Sequence, residues 1–227
     1  MNTAAIIVAA GRGRRSGLDH PKQFATLGDK TVLEHTVRSM SSHKCIQSII
    51  IVHHPDDQKI MDQLDLRGTI LTPGGKTRAA SVYEGLLVLP EATEHVLIHD
   101  AARPFVSHVL IDEVLEALKT SKAAAPGLPI VDALWHGDDG HVDHSVPRTN
   151  LYRAQTPQGF RKTAIIAAHE RALKADIDPK DDVEAALAAG LKVAITKGDD
   201  GNFKITYPDD ILRAERILNN KDTAYGR

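Results

Sequence analysis

Short apolar runs alternate with segments of helical periodicity along the first half of the chain. The runs are rich in β-branched residues and end at glycine, proline or polar residues, which is typical of buried strands. The strands that this pattern predicts are 4–9, 48–52, 69–72 and 94–99. The predicted helices are 31–40, 79–87 and 109–118, and the polar stretch 56–66 is compatible with a helix. Thr31 and Glu34 have the spacing of a capping box at the start of the first helix. This alternation predicts an α/β fold with a mostly parallel sheet that is covered on both faces.

The second half of the chain, from about Pro129, contains a predicted hairpin arm. Two strand-like stretches within 130–146 flank the sequence Gly137-Asp138-Asp139-Gly140, a strong hairpin-turn signal. A hairpin inserted into an α/β domain leaves the body as an arm, here 130–148, which either covers a site or pairs with a partner subunit. Helices are predicted again at 162–174, 183–189 and 210–218, with a strand at 191–196. At 227 residues, the chain is expected to form a single domain, 1–227.

Composition and charge exclude several classes of protein. Apolar residues make up 42% and charged residues 26%, the balance of a globular chain rather than of a disordered one or a fibre. The 28 basic and 30 acidic residues give a net charge of −2, so no overall basic field attracts nucleic acid or a membrane surface. One tryptophan and 4% aromatic residues offer no stacking platform for single-stranded nucleic acid, and no apolar run approaches the length of a membrane span.

The cysteine content and the first residues predict where the protein works. Cys45 is the single cysteine, which excludes an internal disulfide framework and is typical of a reducing compartment. The opening stretch MNTAAIIVAAGRGRR places its positive charges after a short apolar run, the reverse of a secretory signal. We therefore expect a soluble, cytoplasmic protein.

A basic, glycine-containing loop follows the first predicted strand, at the end of the sheet where α/β proteins bind ligands. Gly11 and Gly13 allow the backbone to approach an anion closely, and successive N–H groups in such a turn hold phosphate oxygens. Four cations fall within eleven residues, namely Arg12, Arg14, Arg15 and Lys22. Arginine offers phosphate a planar fork and lysine a point charge, so the loop predicts a polyphosphate site.

Two other interpretations of this loop stay open. A dinucleotide-binding loop has a third glycine where this chain has Ser16, and here Pro21 comes before any apolar helix begins. A solvated basic loop would have the same composition without binding a ligand. The P-loop pattern, which ends in glycine, lysine and a hydroxyl residue, is absent from this segment.

Asp100 follows the predicted strand 94–99 at the same expected edge of the sheet. It is well placed to hold a divalent cation together with a polyphosphate, because Mg²⁺ needs only one or two protein carboxylates. The alternative is a turn aspartate that caps the next segment. Arg148, Lys180 and Lys204 are further candidate cations, although each alone is typical of a solvated surface. Lys204 lies in a β-like stretch, 202–207, before a predicted helix.

Histidines cluster around the predicted hairpin at His136, His141 and His144. A zinc site would need a further ligand and a suitable spacing, and neither is evident in the sequence, so zinc is disfavoured. No Ser-His-Asp arrangement for nucleophilic catalysis is evident either.

Four segments occur in the order of a known enzyme family: AAIIVAAGRGRRSGLDHPKQF, PGGKTRAASVYEGL, LIHDAARPFV and FKITYPDD. On these segments the chain closely resembles the 2-C-methyl-D-erythritol 4-phosphate cytidylyltransferases of the non-mevalonate isoprenoid pathway, from about residue 4 to residue 218. The resemblance implies a Rossmann-like nucleotidyltransferase sheet with a β-arm that pairs two subunits into a homodimer. It also implies transfer of CMP from CTP to methylerythritol phosphate, release of pyrophosphate, and Mg²⁺ or another divalent cation as cofactor.

The resemblance implies roles for individual residues as well. Arg15 and Lys22 match the family's transition-state-stabilising pair, and Arg148 and Lys204 match the pair that positions the sugar phosphate. Asp100 matches a residue near the metal. Further matches are Ala10, Gly11, Gly13, Gly75, Arg78 and Ser81 for the nucleotide, and Arg103 and Asp132 for the substrate.

Two positions depart from the family's pattern. After Asp132, many members have a threonine where this chain has Ala133, and before Asp181 Lys180 replaces another threonine. Both departures affect substrate contacts rather than the phosphate chemistry. Some relatives are fused to a downstream cyclase domain, and the polar end of this chain leaves a fusion or truncation open. A cytidylyltransferase for another sugar or pentitol phosphate, and a nucleotide-binding module without turnover, remain alternative functions.

Overall fold

The structure, a computed structural model, describes residues 2–12 and 20–224, in which strands and helices alternate as the sequence predicts. The strands are β1 (Thr3–Val8), β2 (Thr26–Leu27), β3 (Lys30–Thr31), β4 (Ile46–His53), β5 (Thr69–Pro73), β6 (His95–Asp100), β7 (Ala123–Pro129), β8 (Leu134–Asp138), β9 (His141–Val146), β10 (Tyr152–Ala154), β11 (Gln158–Arg161) and β12 (Val193–Lys197). The α-helices are α1 (Val32–Ser41), α2 (Gln58–Met61), α3 (Arg78–Leu87), α4 (His108–Ala117), α5 (Lys162–Lys174), α6 (Asp182–Ala188) and α7 (Pro208–Ala224).

A mostly parallel sheet of eight strands lies at the centre of the described residues. Its order is β5-β4-β1-β6-β11-β7, with β10 and β12 also paired to β7. Strands β5, β4, β1, β6, β7 and β12 run in one direction, whereas β10 and β11 run in the opposite one. The predicted α/β fold is therefore confirmed. Because the chain winds from β1 outward to β4 and later returns to β6 on the other side, a crevice forms at the carboxyl ends of these strands.

Strand β1 shows why the sheet is covered on both faces. Ala5 and Ile7 pack in one core cluster with residues of α1 and α4, and Ala4 and Ile6 pack in a second cluster with residues of α3 and α5. Successive side chains of a strand point to opposite faces, so a strand that is buried on both sides is apolar at every position. The apolar run at 4–9 is continuous because β1 is buried on both faces of the sheet.

The hairpin arm consists of β8 and β9, which form a separate two-stranded sheet. They are joined by Asp139 and Gly140, whose φ angles of 45° and 75° are those of a two-residue turn with both central residues in the left-handed region. Most of the arm is exposed to solvent, including Trp135, with 67% of its surface accessible. The predicted hairpin is confirmed, and the prediction of a single domain over 1–227 stays a prediction.

Several segments differ from the prediction. The pattern does not predict β7, because its sequence AAAPGLP consists of residues with little strand propensity. Stretch 56–66 forms only the short helix α2, directly after a 3₁₀ turn at Pro55–Asp57. Segment 202–207 forms no strand. Its contacts include a backbone bond of 2.9 Å from Ile205 N to Ala102 O, a bond of 2.7 Å from Arg103 to the carbonyl of Asn202, and the buried Ile205 side chain. None of the described helices is both long enough and apolar enough to cross a bilayer.

Candidate active site

A cleft of about 410 Å³ opens at the carboxyl ends of β1 and β6. It lies beside the point where the winding of the sheet changes, which is the expected ligand position in an open α/β sheet. The predicted site residues that line it are Ala10, Gly11, Lys22, Gly75, Arg78, Ser81, Asp100 and Lys204. Residues from four separate parts of the chain therefore meet in one site.

The other predicted site residues are not among the described residues that line this cleft. Gly13 and Arg15 lie outside the described residues. Asp132 and Arg148 are exposed, on the segments that lead into and out of the arm. Arg103 is buried beside Asp100. The functional roles of all these residues stay predictions.

The loop after β1 is held in place by Gln23, a buried residue that the sequence analysis did not single out. Its Nε2 donates to the carbonyl of Ala9 at 2.6 Å and to the carbonyl of Gly11 at 3.0 Å. Gln23 belongs to a 3₁₀ turn, Lys22–Phe24, whose first residue lines the cleft. The same short turn therefore anchors the glycine loop and presents Lys22 to the cleft.

The N-terminus of α3 forms the opposite wall. Thr77 caps this helix, since its side chain accepts a hydrogen bond of 3.1 Å from Ala80 N. Gly75 packs so closely against the helix that a Cβ there would lie 2.6 Å from the Cβ of Ala80. The buried Ser81 hydroxyl donates to the carbonyl of Thr77 at 2.8 Å. A helix N-terminus carries partial positive charge and thus adds to the attraction of this cleft for anions.

Asp100 lies at the centre of the charged groups. Its Oδ2 contacts Lys204 Nζ at 2.9 Å and Arg103 Nε at 3.4 Å, and its side chain is 13% exposed. Burial alone would raise the pKa of Asp100, but the charges of Lys204, Arg103 and Arg78 outweigh it and hold the pKa well below its usual range. The carboxylate is therefore ionised at every physiological pH and fixes the position of Lys204.

Arg103 connects three segments behind the cleft. Besides Asp100, its guanidinium donates to the carbonyl of Asn202 at 2.7 Å and to the carbonyl of Ala154 at 3.5 Å. These contacts hold Asp100 and the segment that carries Lys204 together. They support a positioning role, and direct contact between Arg103 and a substrate stays a prediction.

Arg78 is held by a buried carboxylate that the sequence analysis missed. Asp182, which is fully buried, accepts hydrogen bonds from Arg78 Nη2 at 2.7 Å and from His169 Nε2 at 3.1 Å. Burial raises the pKa of Asp182, but the His169 hydrogen bond and the Arg78 charge lower it further than burial raises it. Arg78 Nη1 is buried without a hydrogen-bond partner in the described part of the chain. Arg78 also lines the cleft, so Asp182 fixes one of the cations of the site.

A chain of hydrogen bonds runs from Asp100 through the buried His99. The Asp100 N–H donates to Thr156 Oγ1 at 3.1 Å, and Thr156 Oγ1 lies 3.0 Å from His99 Nδ1. His99 Nε2 lies 3.0 Å from the carbonyl of Arg103, which can only accept, so the proton of this neutral imidazole is on Nε2. Burial lowers the pKa of His99 to about 4.

We expect His99 to make the protein less stable in mild acid. Its pKa is about 4 in the folded chain and about 6.5 when unfolded, so the unfolded state gains the proton first as the pH falls. Stability is therefore full above pH 6.5 and is lost between pH 6.5 and 4. Urea unfolding should show a free energy of unfolding lower by about 2 kcal/mol at pH 5 than at pH 7.5.

The variant His99→Gln cannot take up this proton and should lose most of that pH dependence. The matched control is His141→Gln, because His141 is exposed on the arm and should keep the dependence of the parent chain. An unchanged slope in His99→Gln would show that other groups cause the acid sensitivity.

Asp100 also fits the requirements of a divalent cation that binds with a polyphosphate. Lys204 and Arg103 contact the same oxygen, Oδ2, and a carboxylate has a second oxygen to offer. Mg²⁺ takes its remaining ligands from phosphate and water. Because Lys22, Arg78 and Lys204 surround the cleft with positive charge, a lone cation is repelled, whereas a cation paired with a triphosphate is not.

Comparisons with known proteins agree with this geometry. The sequence profile of the family 2-C-methyl-D-erythritol 4-phosphate cytidylyltransferase matches residues 3–220. The chain is 49% identical to the protein of that name from Roseobacter denitrificans, over 98% of this chain and 99% of the relative. It is 46% identical to a bifunctional enzyme IspD/IspF from Ruegeria, over 96% of this chain but 56% of that relative.

The fold gives the same result. The crystal structure of 2-C-methyl-D-erythritol 4-phosphate cytidylyltransferase from Thermus thermophilus superposes with a TM-score of 0.84 at 33% sequence identity, covering 96% of this chain and 100% of that one. Both the sequence match and the structural match extend over nearly the whole chain. The chain belongs to the 2-C-methyl-D-erythritol 4-phosphate cytidylyltransferase family.

Proposed function

We infer that this chain transfers the CMP group of CTP to the phosphate of 2-C-methyl-D-erythritol 4-phosphate. An oxygen of that phosphate attacks the α-phosphorus of CTP, the bond from the α-phosphorus to the bridging oxygen breaks, and pyrophosphate leaves with that oxygen. The products are 4-diphosphocytidyl-2-C-methyl-D-erythritol and pyrophosphate. The observation that carries the proposal is the cluster of Lys22, Arg78 and Lys204 around Asp100 in one cleft of a member of this family.

The reaction requires charge stabilisation rather than a general base. A phosphate monoester has its second pKa near 6, so the attacking oxygen is already ionised at neutral pH. The barrier comes from bringing two anions together and from the charge that develops on the leaving pyrophosphate. Positioned cations lower such a barrier by alignment and electrostatics.

The residues of the cleft divide this task between them. Lys22, with Arg15 beyond the described residues, stabilises the charge on the α-phosphate and the leaving group. The backbone at Ala10, Gly11 and Gly13 surrounds the triphosphate. Gly75, Arg78 and Ser81 bind the cytosine and ribose, a role that their position in the lining of the cleft supports.

The sugar phosphate is held by Lys204 and Arg148, and we propose that Arg148 comes from a second copy of the chain. Lys204 lies in the cleft, whereas Arg148 and Asp132 are exposed beside the arm. A homodimer in which each arm extends to the other cleft would bring Arg148 to the phosphate and Asp132 to the substrate. The exposed apolar residues Val131, Trp135 and Val142 support an arm that packs against a partner.

When bound, Mg²⁺ neutralises part of the triphosphate charge, and Asp100 is the residue that would hold it. We expect no saturable binding of Mg²⁺ to the free protein, because the cleft is positively charged, but cooperative binding of Mg²⁺ with CTP. Isothermal titration with each ligand alone and with both tests this expectation. Tight Mg²⁺ binding without nucleotide would contradict it.

The Mg²⁺ dependence of the activity tests the same role of the Asp100 carboxylate. Asp100→Asn should raise the Mg²⁺ concentration needed for half-maximal activity at least about tenfold, since a lost metal-site group costs at least this much affinity. The exposed Asp178→Asn should leave that concentration unchanged.

The direct test of the function is release of pyrophosphate from CTP with methylerythritol phosphate and Mg²⁺, with the acceptor omitted as control. We expect release only when both substrates are present, with the diphosphocytidyl product identified by mass. Faster release with a pentitol phosphate would favour a different cytidylyltransferase. Absence of release with any acceptor would favour a nucleotide-binding module, and binding of NAD in place of CTP would favour a dinucleotide enzyme.

The proposed reaction uses soluble metabolites, and we infer that it takes place in the cytoplasm. The single, partly buried Cys45 supports a reducing compartment. Fractionation of the native organism followed by the pyrophosphate assay tests this location.

A further inference from the structure

Two histidines and an aspartate converge on one face of the hairpin arm, away from the cleft. His136 Nδ1 lies 3.3 Å and His144 Nδ1 lies 2.8 Å from the same oxygen, Asp143 Oδ2. The two imidazole rings are stacked, with centroids 4.9 Å apart and an angle of 11° between their planes. One candidate ligand atom from each residue lies within 4.8 Å of the other two.

An irregularity in the hairpin brings Asp143 to this face. His136 pairs with His144 directly across the two strands, but the next pair is Gly137 with Val142, so Asp143 has no partner in the register. In a regular strand, neighbouring residues such as Asp143 and His144 point to opposite faces. An extra residue in one strand, here Asp143, changes the direction of its side chain. The Asp143 carboxylate therefore lies on the same face as both imidazoles.

We propose that His136, Asp143 and His144 bind one Zn²⁺ ion. Zn²⁺ takes imidazole nitrogen and carboxylate oxygen at about 2.0–2.2 Å, so two ligand atoms of a tetrahedral site lie about 3.3 Å apart. The nitrogen-to-oxygen separations of 2.8 and 3.3 Å are close to this value. Because the two rings are nearly parallel, each must rotate about its Cβ–Cγ bond for both Nδ1 lone pairs to point at one ion. Three protein ligands leave one position for water.

The chemistry of these ligands separates this site from the cleft. Mg²⁺ prefers oxygen ligands in an octahedral arrangement, whereas imidazole suits Zn²⁺, Cu²⁺ and Ni²⁺. In the complex each imidazole donates the Nδ1 lone pair to the metal, so its remaining proton lies on Nε2. The side chains of His136 and His144 are 60% and 59% exposed, so the ion can enter from solvent. The bound ion would link β8 to β9.

The arm also contains its own probe. Trp135, which precedes His136, is the only tryptophan of the chain. Cu²⁺ is bound by imidazole and quenches the emission of a nearby indole. Occupancy of the site should therefore lower the fluorescence of the full-length protein directly.

The experiment uses the full-length chain without a histidine tag, stripped of metal by a chelator. We expect equilibrium dialysis against Zn²⁺ with millimolar Mg²⁺ present to leave one Zn²⁺ per chain, and Cu²⁺ to quench Trp135 saturably. His136→Ala and His144→Ala should each weaken Zn²⁺ binding at least tenfold and abolish saturable quenching. His141→Ala is the matched control, because His141 lies on the same hairpin but outside the cluster, with its Nδ1 2.9 Å from the carbonyl of Asp139.

Two results would overturn the proposal. One is Zn²⁺ binding that His136→Ala and His144→Ala retain at the parent affinity, which would assign the ion to other histidines. The other is absence of Zn²⁺ from the dialysed parent chain, which would show that His136 and His144 form only hydrogen bonds with Asp143. Circular dichroism of each variant confirms that the chain is folded, and the three substituted side chains are all exposed, so the fold should be unaffected.

Discussion

Lys22→Ala is expected to lower kcat about 10²–10³-fold, the usual effect of removing one preorganised electrostatic contact to a transition state. Lys22 lines the cleft and is the first residue of the 3₁₀ turn Lys22–Phe24. Gln23, the next residue, anchors this turn to the loop after β1. This anchor fixes the backbone of Lys22 at the edge of the cleft before a substrate binds. Loss of the Lys22 side chain should therefore affect the developing charge at the α-phosphate more than the binding of either substrate.

Steady-state kinetics with both substrates saturating measures this effect. KM for CTP should change much less than kcat, because an interaction made only in the transition state affects turnover rather than ground-state binding. Lys59→Ala is a matched control, since Lys59 is an exposed lysine on α2 outside the cleft lining. Near-normal turnover of Lys22→Ala would remove the lysine from the mechanism.

The position of the cleft could be predicted because it depends on local signals. The apolar runs of β1 and β6 identify buried strands, and parallel strands bring Ala10 and Asp100, which follow their ends, to one edge. The capping box at α1 is likewise local, with Thr31 N donating to Glu34 at 2.7 Å and Glu34 N donating to Thr31 Oγ1 at 3.2 Å. A contact between residues that are close in sequence can be predicted from the sequence, because it does not depend on how the rest of the chain folds.

The groups that support the site could not be predicted, because their partners are distant in sequence. Asp182 and Arg78, which form a hydrogen bond, are 104 residues apart in the sequence, and Thr156 and His99 are 57 residues apart. Strand β7 has weak strand propensity and is stabilised by its pairing with β10, β11 and β12. Asp143 lies beside His144 only because the register of the hairpin shifts. In each case tertiary contacts decide the outcome.

Arg148→Ala is expected to abolish most of the use of methylerythritol phosphate while CTP binding stays largely intact. The proposed role of Arg148 is to hold the incoming phosphate, and the nucleotide has its own contacts in the cleft. Titration of each ligand separately distinguishes the two effects. Equal losses for both ligands would indicate a general disturbance of the site rather than a contact to the acceptor.

Mixing two inactive variants tests whether Arg148 acts on the partner's cleft. In a mixed dimer of Lys22→Ala and Arg148→Ala chains, one cleft has an intact Lys22 and receives the intact arm of the other chain. Random exchange should therefore restore about a quarter of the parent activity, since half of the dimers are mixed and half of their clefts are intact. Lys22→Ala mixed with Lys204→Ala is the matched control and should restore nothing, because Lys22 and Lys204 line the cleft of the same chain. If mass measurements show mixed dimers and the first pair also stays inactive, Arg148 acts within its own chain and the proposed exchange of arms is wrong.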